Sequence, residues 1–419
     1  MESKKGESFF SADSVQGLEL DPKDPKTWCI AQNQNNPDWI QITAQMHDHA
    51  MTLAGLPADR FYRDAETHVR VMVAVAAYYG FDAGRGSFDV YNIEAEAMGQ
   101  KMISSHGAMP TVDFREPLID NPGDLLKIRV PDWRSAGRAP FALDVIRLNS
   151  ALGLNRGYFC APFSLAVAIR SYPKLIRDMK KNPEFARDLF TFLVDEILPS
   201  YLRVQKDECG VTVGLGSDAW AAFPNLSPAL LEEWVVPYTE RLSSNLKKFG
   251  DSALYVGGAD YCEERVEHFD EATLFRCLDI QTKFAGGAPV LFMGMGRWQD
   301  YPLEPMVEYL RQYKDRGIRA SVTAGVNARL LRDGPIDGVI SYVRRVIDAL
   351  GRDHNLTFWL SNIPADTPPE HVHAAVAAVH TYGRRPIPPT LDDNVVRVPA
   401  RESFQQYVRR VSKGSGLGI

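Results

Sequence analysis

Between residues 157 and 382, short β-rich runs alternate with longer helical stretches, and no other feature restricts the fold as much. The runs at 157–160, 211–215, 253–256, 290–293, 318–323 and 357–360 read as strands. A further short strand is read at Ile280, with helix or loop over 282–284. Helical spacing of apolar residues marks 164–171, 173–180, 183–207, 227–249, 261–268, 305–316, 336–350 and 368–382. Ser227-Pro228 opens its helix with a capping hydroxyl and a proline in the first turn. Strands separated by helices form right-handed βαβ units and a parallel sheet. The number of repeats predicts a closed (β/α)8 barrel, a TIM barrel in the α/β class, rather than an open sheet.

The flanks are less regular. Residues 1–39 are polar and carry Pro22 and Pro25 in a turn-like run, so they read as an N-terminal arm. Such an arm lies over the body or against a partner subunit, which leaves room for a homodimer. Residues 40–79 read as helical, with a strong apolar stripe from 63 and a stop at Gly80. Residues 81–91 are extended, 94–102 return toward helix, and 104–140 read as loop with short elements. The barrel is assigned to 40–385, and 386–419 to an irregular tail frayed from 414.

Composition narrows the functional classes. Of 419 residues 45% are hydrophobic and 24% charged, which suits a globular core, and the net charge of −6 offers no basic stripe for nucleic acid. No apolar run is long enough to span a membrane. The start is polar and lacks a signal-peptide core, and the five cysteines lack CxxC pairing. A cytoplasmic protein with reduced thiols is expected.

A barrel gives chemistry an address at the C-terminal ends of the strands. That ring contains 89–92, 162–164, 217–218, 257–260, 294–297, 323–327 and 361–362. It supplies the candidates Asn92, Phe163, Asp218, Asp260, Arg297, Asn327 and Asn362. Asp218 follows a strand with Gly214 and Gly216, where backbone can approach a ligand closely, and it could orient substrate or cap a helix. Asp260 follows Gly257-Gly258, and Arg297 could clamp a carboxylate or belong to a structural loop. Upstream, His47-Asp48-His49 is the densest polar cluster. One imidazole there could act as a general acid or metal ligand, or the cluster could be a polar helix start. His47 and His49 are two apart and face different ways on a helix. The same spacing separates Glu94 from Glu96, so only one can face a pocket.

Several segments resemble the uroporphyrinogen decarboxylase superfamily. They are Gly80-Phe81-Asp82, Asn92-Ile93-Glu94-Ala95-Glu96-Ala97-Met98-Gly99, Ala161-Pro162-Phe163-Ser164-Leu165-Ala166, Leu226-Ser227-Pro228 through Pro237-Tyr238, and Thr367-Pro368-Pro369-Glu370 through Tyr382-Gly383. The likeness runs in order over about 40 to 385, and the superfamily's fold is the (β/α)8 barrel. Its decarboxylases carry an Arg-rich loop of the Arg-Gln-Ala-Gly-Arg type that is not found here. Its corrinoid-dependent methyltransferases read Thr-Val-Glu-Ala-Glu-Ala-Leu-Gly where this chain has Asn92 to Gly99, so the resemblance favours that branch and favours Glu94 over Glu96. Thiol-methylating members hold zinc with His-x-Cys-Gly and a later Cys. Here those places fall on Tyr255, Gly257 and the neighbourhood of Ser361, which are poor zinc ligands.

The resemblance therefore implies a methyltransferase without the thiol-zinc site. It moves a methyl group between a small, methoxylated substrate and a corrinoid (cobalamin) on a partner protein, because no Asp-x-His-x-x-Gly segment appears in the chain. A methyl ether leaves badly unless its oxygen is protonated. His47, Tyr255 and Asp218 are the expected acid, donor and orienter, and His49 and Glu94 are expected to touch substrate. The alternatives are a decarboxylase or lyase acting on a cyclic carboxylated substrate, or a non-catalytic corrinoid-binding relative.

Overall fold

The computed structural model describes residues 38–82, 87–89, 92–247, 253–294, 296–400 and 402–414. The arm expected over 1–39 lies outside the described residues except for Asp38 and Trp39. So do residues 90–91 and 295 of the strand-end ring, and 415–419 of the frayed tail.

Among the described residues nine strands form. They are β1 Gln41–Ala44, β2 Met102–Ser105, β3 Ala108–Val112, β4 Gly157–Cys160, β5 Val213–Ser217, β6 Ala253–Gly257, β7 Val290–Met293, β8 Ser321–Val326 and β9 Asn355–Leu360. β2 and β3 make an antiparallel hairpin. The others run parallel in the orders β4-β5-β6 and β7-β8-β9-β1. The first strand of the chain thus pairs with the last, from Gln41 against Thr357 to Ala44 against Leu360. An open doubly wound sheet does not join its ends in this way. The fold is the (β/α)8 barrel.

Side chains close the two seams. Gln281 Nε2 donates to Ala259 O and Phe292 O while its Oε1 accepts from Phe292 N at 2.8 Å, which ties β7 to the segment after β6. At the other seam, the outer edge of β1 is held by Asp82, whose N–H donates to Ile42 O and whose Oδ2 accepts from Ile42 N at 2.8 Å. The facing edge of β4 is held by Gln205, bonded to both Tyr158 N and Tyr158 O, and by Glu94 Oε1, which accepts from Cys160 N at 2.7 Å. Unpaired strand edges need such partners. The short segment 87–89 stands in this second seam, beside Gln45 and Tyr158.

Strand alternation sorts the side chains. Leu254, Val256, Leu291, Met293, Val322, Ala324, Leu356 and Phe358 join the cores under the helices. Their neighbours, including Leu215, Tyr255, Phe292, Thr323 and Trp359, face the lumen, where the Phe292 and Trp359 rings meet at 5.0 Å. Tyr255 is 49% exposed, so the lumen is open beside β6.

Local expectations are corrected in several places. The stretch 40–79 is not wholly helical. It begins with β1, and its helices are His47–Ala54, Ala58–Phe61 and Ala65–Tyr79, the last ended by Gly80 at φ 78° as expected. Residues 261–268 are loop with one 3-10 turn. Asp270 caps the helix Glu271–Phe284 through Thr273 N, and that helix absorbs the strand expected at Ile280. The expected strands 211–215 and 318–323 lie slightly later. The tail is not irregular throughout, because Phe404–Gly414 is helical and the Phe404 ring meets Tyr78 at 5.4 Å. No helix among the described residues is long and apolar enough to cross a membrane.

Candidate active site

The seam between β1 and β4 contains a pocket with about 540 Å³ of empty volume, part of it open to solvent. It is lined by Gln45 just past β1, Ser87, Phe88 and Asp89 of the seam segment, Glu94, Tyr158 to Cys160 of β4, and Leu215 to Ser217 of β5. Cys160 and Ser217 are the last residues of their strands, so the pocket lies at the C-terminal end of the barrel. Phe88 and Tyr158 meet edge to face at 6.1 Å.

Glu94 is 1% exposed. Burial is the main cause that raises its carboxyl to about 8, assisted by the nearby Asp89 and only partly opposed by the N–H of Cys160. Oε1 takes that N–H, which leaves Oε2 to carry a proton near neutral pH. Asp89 is held differently. Its Oδ2 accepts from Arg138 Nη2 at 2.8 Å and its Oδ1 from Asn92 N at 3.1 Å. Arg138 is itself buried and also bonds Glu96 through Nε at 2.6 Å, so one guanidinium serves two carboxylates. The site therefore pairs a buried carboxylic acid with a salt-bridged carboxylate.

Most other expected site residues are placed elsewhere. His47 is buried, with Nε2 3.1 Å from Ser87 O and 3.0 Å from Ser87 Oγ, and His68 Nε2 reaches the same carbonyl at 3.2 Å. It holds the seam segment and does not line the pocket. His49 stacks on Tyr79 and bonds its hydroxyl at 2.7 Å inside the core. Asn92 Nδ2 donates to Pro110 O, which ties the turn to β3. Phe163 is fully buried against Phe190. Asp218 is also fully buried, and its carboxylate accepts from the N–H groups of Phe163 and Ser164. It thereby caps the first turn of the helix Pro162–Arg170. Arg297 pairs with Asp300, and Asn327 caps the helix Ala328–Asp333. Asn362 is exposed after β9 at φ 46°. Asp260 is 7% exposed, with no hydrogen-bond partner for Oδ1 among the described residues.

Of the expected residues, then, only Glu94 lines the pocket, and Tyr255 sits one strand away, in register with Leu215. Sequence reasoning missed Gln45, Tyr158, Cys160 and the Asp89–Arg138 pair, while Ser217 lay in the strand-end ring. Asp89 lay in the strand-end ring, but nothing local singles out Arg138, 49 positions away. Cys160 is no thiolate, because burial holds its thiol well above the usual range.

These buried groups make stability depend on pH. Burial raises Glu94 to about 8, Asp260 to about 7 and Asp218 to about 6, and lowers His49 to about 4, His68 to about 3 and His47 below 6.5. Between about pH 4.5 and 6.5 the folded carboxyls retain protons that the unfolded chain has released. Over the same range the unfolded histidines hold protons that the folded ones lack, so the two slopes oppose each other. Above about pH 7.5 the histidines are largely neutral in both states, and only the raised carboxyl of Glu94 still releases its proton. Stability is therefore expected to fall as pH rises toward 8, by up to about 1.4 kcal/mol per pH unit for each proton involved. Thermal midpoints of the parent and Glu94→Gln across this range check it. A parent midpoint that rises with pH would remove the buried-acid assignment.

The places that correspond to a thiol-zinc site hold a phenol, a glycine and a hydroxyl at Tyr255, Gly257 and Ser361. Among the described residues no three His, Cys, Asp or Glu side chains gather as a metal-ligating group. These donors do not fit a zinc-thiolate centre.

Comparison with known proteins agrees with the barrel. The model of the family described as "Uroporphyrinogen decarboxylase (URO-D)" matches residues 32–382. A uroporphyrinogen decarboxylase of Myxococcus xanthus is 32% identical over 199 residues, which cover 45% of this chain and 53% of that protein. One from Syntrophotalea carbinolica is 32% identical over 168 residues, covering 38% and 46%. The chain thus spans about half the length of the curated relatives it matches. A solved methyltransferase from Methanosarcina mazei superposes with a TM-score of 0.62 at 16% identity, covering 84% of this chain and 97% of that one.

Proposed function

The chain belongs to the uroporphyrinogen decarboxylase family, and on that premise we propose that it is a methyltransferase that takes a methyl group from a small methyl ether and passes it to a corrinoid carried by a partner protein. One observation carries this reading. The pocket holds a buried carboxylic acid, Glu94, that is still protonated near neutral pH. An alkoxide or phenoxide is a poor leaving group, and a positioned acid removes that obstacle.

In the proposed reaction the donor lies against Phe88 and Tyr158, with its ether oxygen toward Glu94. The bond between oxygen and the methyl carbon breaks. The oxygen takes the Glu94 proton and leaves as a hydroxyl, and the methyl goes to the electron pair of the acceptor. Glu94 then regains a proton from solvent. A reduced corrinoid supplies that electron pair when it is present. The pocket is too narrow to hold a small donor and a second large group together. The acceptor is therefore assigned to the open lumen beside Tyr255. His47 and His68 fix the seam segment, and Asp218 fixes the helix after β4. Both roles keep the donor and acid aligned.

The curated relatives favour a second reading, decarboxylation of a carboxylated ring. Binding several substrate carboxylates calls for cationic side chains, and none lines the pocket among the described residues. The test mixes purified protein, a reduced corrinoid protein and aryl methyl ethers, and follows the corrinoid spectrum and the phenol released. Stoichiometric demethylation supports the transferase. Release of carbon dioxide from a carboxylated ring, with no demethylation, would replace it with the decarboxylase.

A further inference from the structure

The charge inside the pocket is one-sided. Two lining side chains, Asp89 and Glu94, carry carboxyl groups, and among the described residues none of the lining side chains is Lys, Arg or His. The nearest guanidinium, on Arg138, is 2% exposed and lies behind Asp89. Its Nη2 and Nε bond Asp89 and Glu96, and although Nη1 has no hydrogen-bond partner among the described residues, the two carboxylates outweigh its single charge. The remaining wall is aromatic or apolar, from Phe88, Tyr158, Phe159 and Leu215, with hydroxyls from Ser87 and Ser217. A carboxylate brought into this largely apolar space loses its hydration with no cation to pair with, whereas a hydroxyl or amide can bond the Ser87 and Ser217 hydroxyls.

We infer that the pocket selects an uncharged aromatic methyl donor and rejects donors that bring a carboxylate to the buried end. The aromatic walls hold the ring, and the Ser87 and Ser217 hydroxyls meet its polar substituent. This selection rests on the pocket being the donor site of the proposed transferase. It is set by the lining charges and can be measured without turnover.

The experiment compares two isosteric probes, 3-methoxybenzamide and 3-methoxybenzoate, by calorimetry at neutral pH. The amide is expected to bind more tightly by about tenfold or more. Ser217→Lys places a cation in the pocket without touching the Arg138 network, and it should reverse the preference. Equal or tighter binding of the benzoate by the parent overturns the inference, as does failure of both probes to bind. An unchanged preference in folded Ser217→Lys overturns it too. Selective binding without methyl transfer would retract the transferase and leave the selection standing. Transfer from ethers that favours the benzoate would do the opposite.

Discussion

Glu94→Gln is expected to lower methyl transfer by about 10²–10⁴-fold, the usual worth of a positioned general acid. Glutamine retains a carbonyl oxygen for the N–H of Cys160, so the β4 edge stays satisfied and the fold should persist. What is lost is the proton. In the parent, the acid is available below about pH 8, and transfer should decline as pH rises through that value. Asp89 adds to the rise of Glu94, so Asp89→Asn should move this decline to lower pH. The measurements are rate against pH for parent and both variants, with thermal midpoints alongside. A near-parental rate in folded Glu94→Gln would end the acid role, and Tyr255 on the open lumen would be tested next.

Arg138→Met should be the most destabilising single change at the site. Its guanidinium and the Asp89 carboxylate are 1% and 0% exposed, and Glu96 is 14% exposed. Removing the shared cation leaves two carboxylates without their partner, and breaking a buried pair in this way typically costs about 3–5 kcal/mol. Urea unfolding measures the loss as a fall in midpoint at unchanged slope. Combining Arg138→Met with Asp89→Asn and Glu96→Gln removes the uncompensated charges and should recover most of the loss. A cost below about 1 kcal/mol, the range of exposed ion pairs, would show that the network does not hold the seam segment.

The barrel was legible because its strands are short apolar runs set between amphipathic helices, a pattern written locally. β1 was hidden because Gln41–Ala44 is only four residues and runs directly into helix-forming sequence. The region after β6 misled for another reason. Tyr261 has the spacing of a helix face, yet it stacks on Phe223 at 5.2 Å and bonds Asp270 N, which delays the helix until Glu271. Glu94 could be found through its likeness to a family segment. His47 and Asp218 had the right chemistry and the right strand ends, but the fold turned them toward Ser87 and toward a helix terminus.

The sequence by itself determined the order of strands and helices, hence the barrel and the end of it that carries the site. These follow from periodicity and from turn and cap residues, which act within a few positions. Tertiary structure alone decided that the seam between β1 and β4 forms the pocket, that Asp89 meets Arg138 across 49 positions, and that Glu94 is buried enough to keep its proton. Desolvation and long-range pairing depend on every chain segment packed around a group, so no local pattern encodes them.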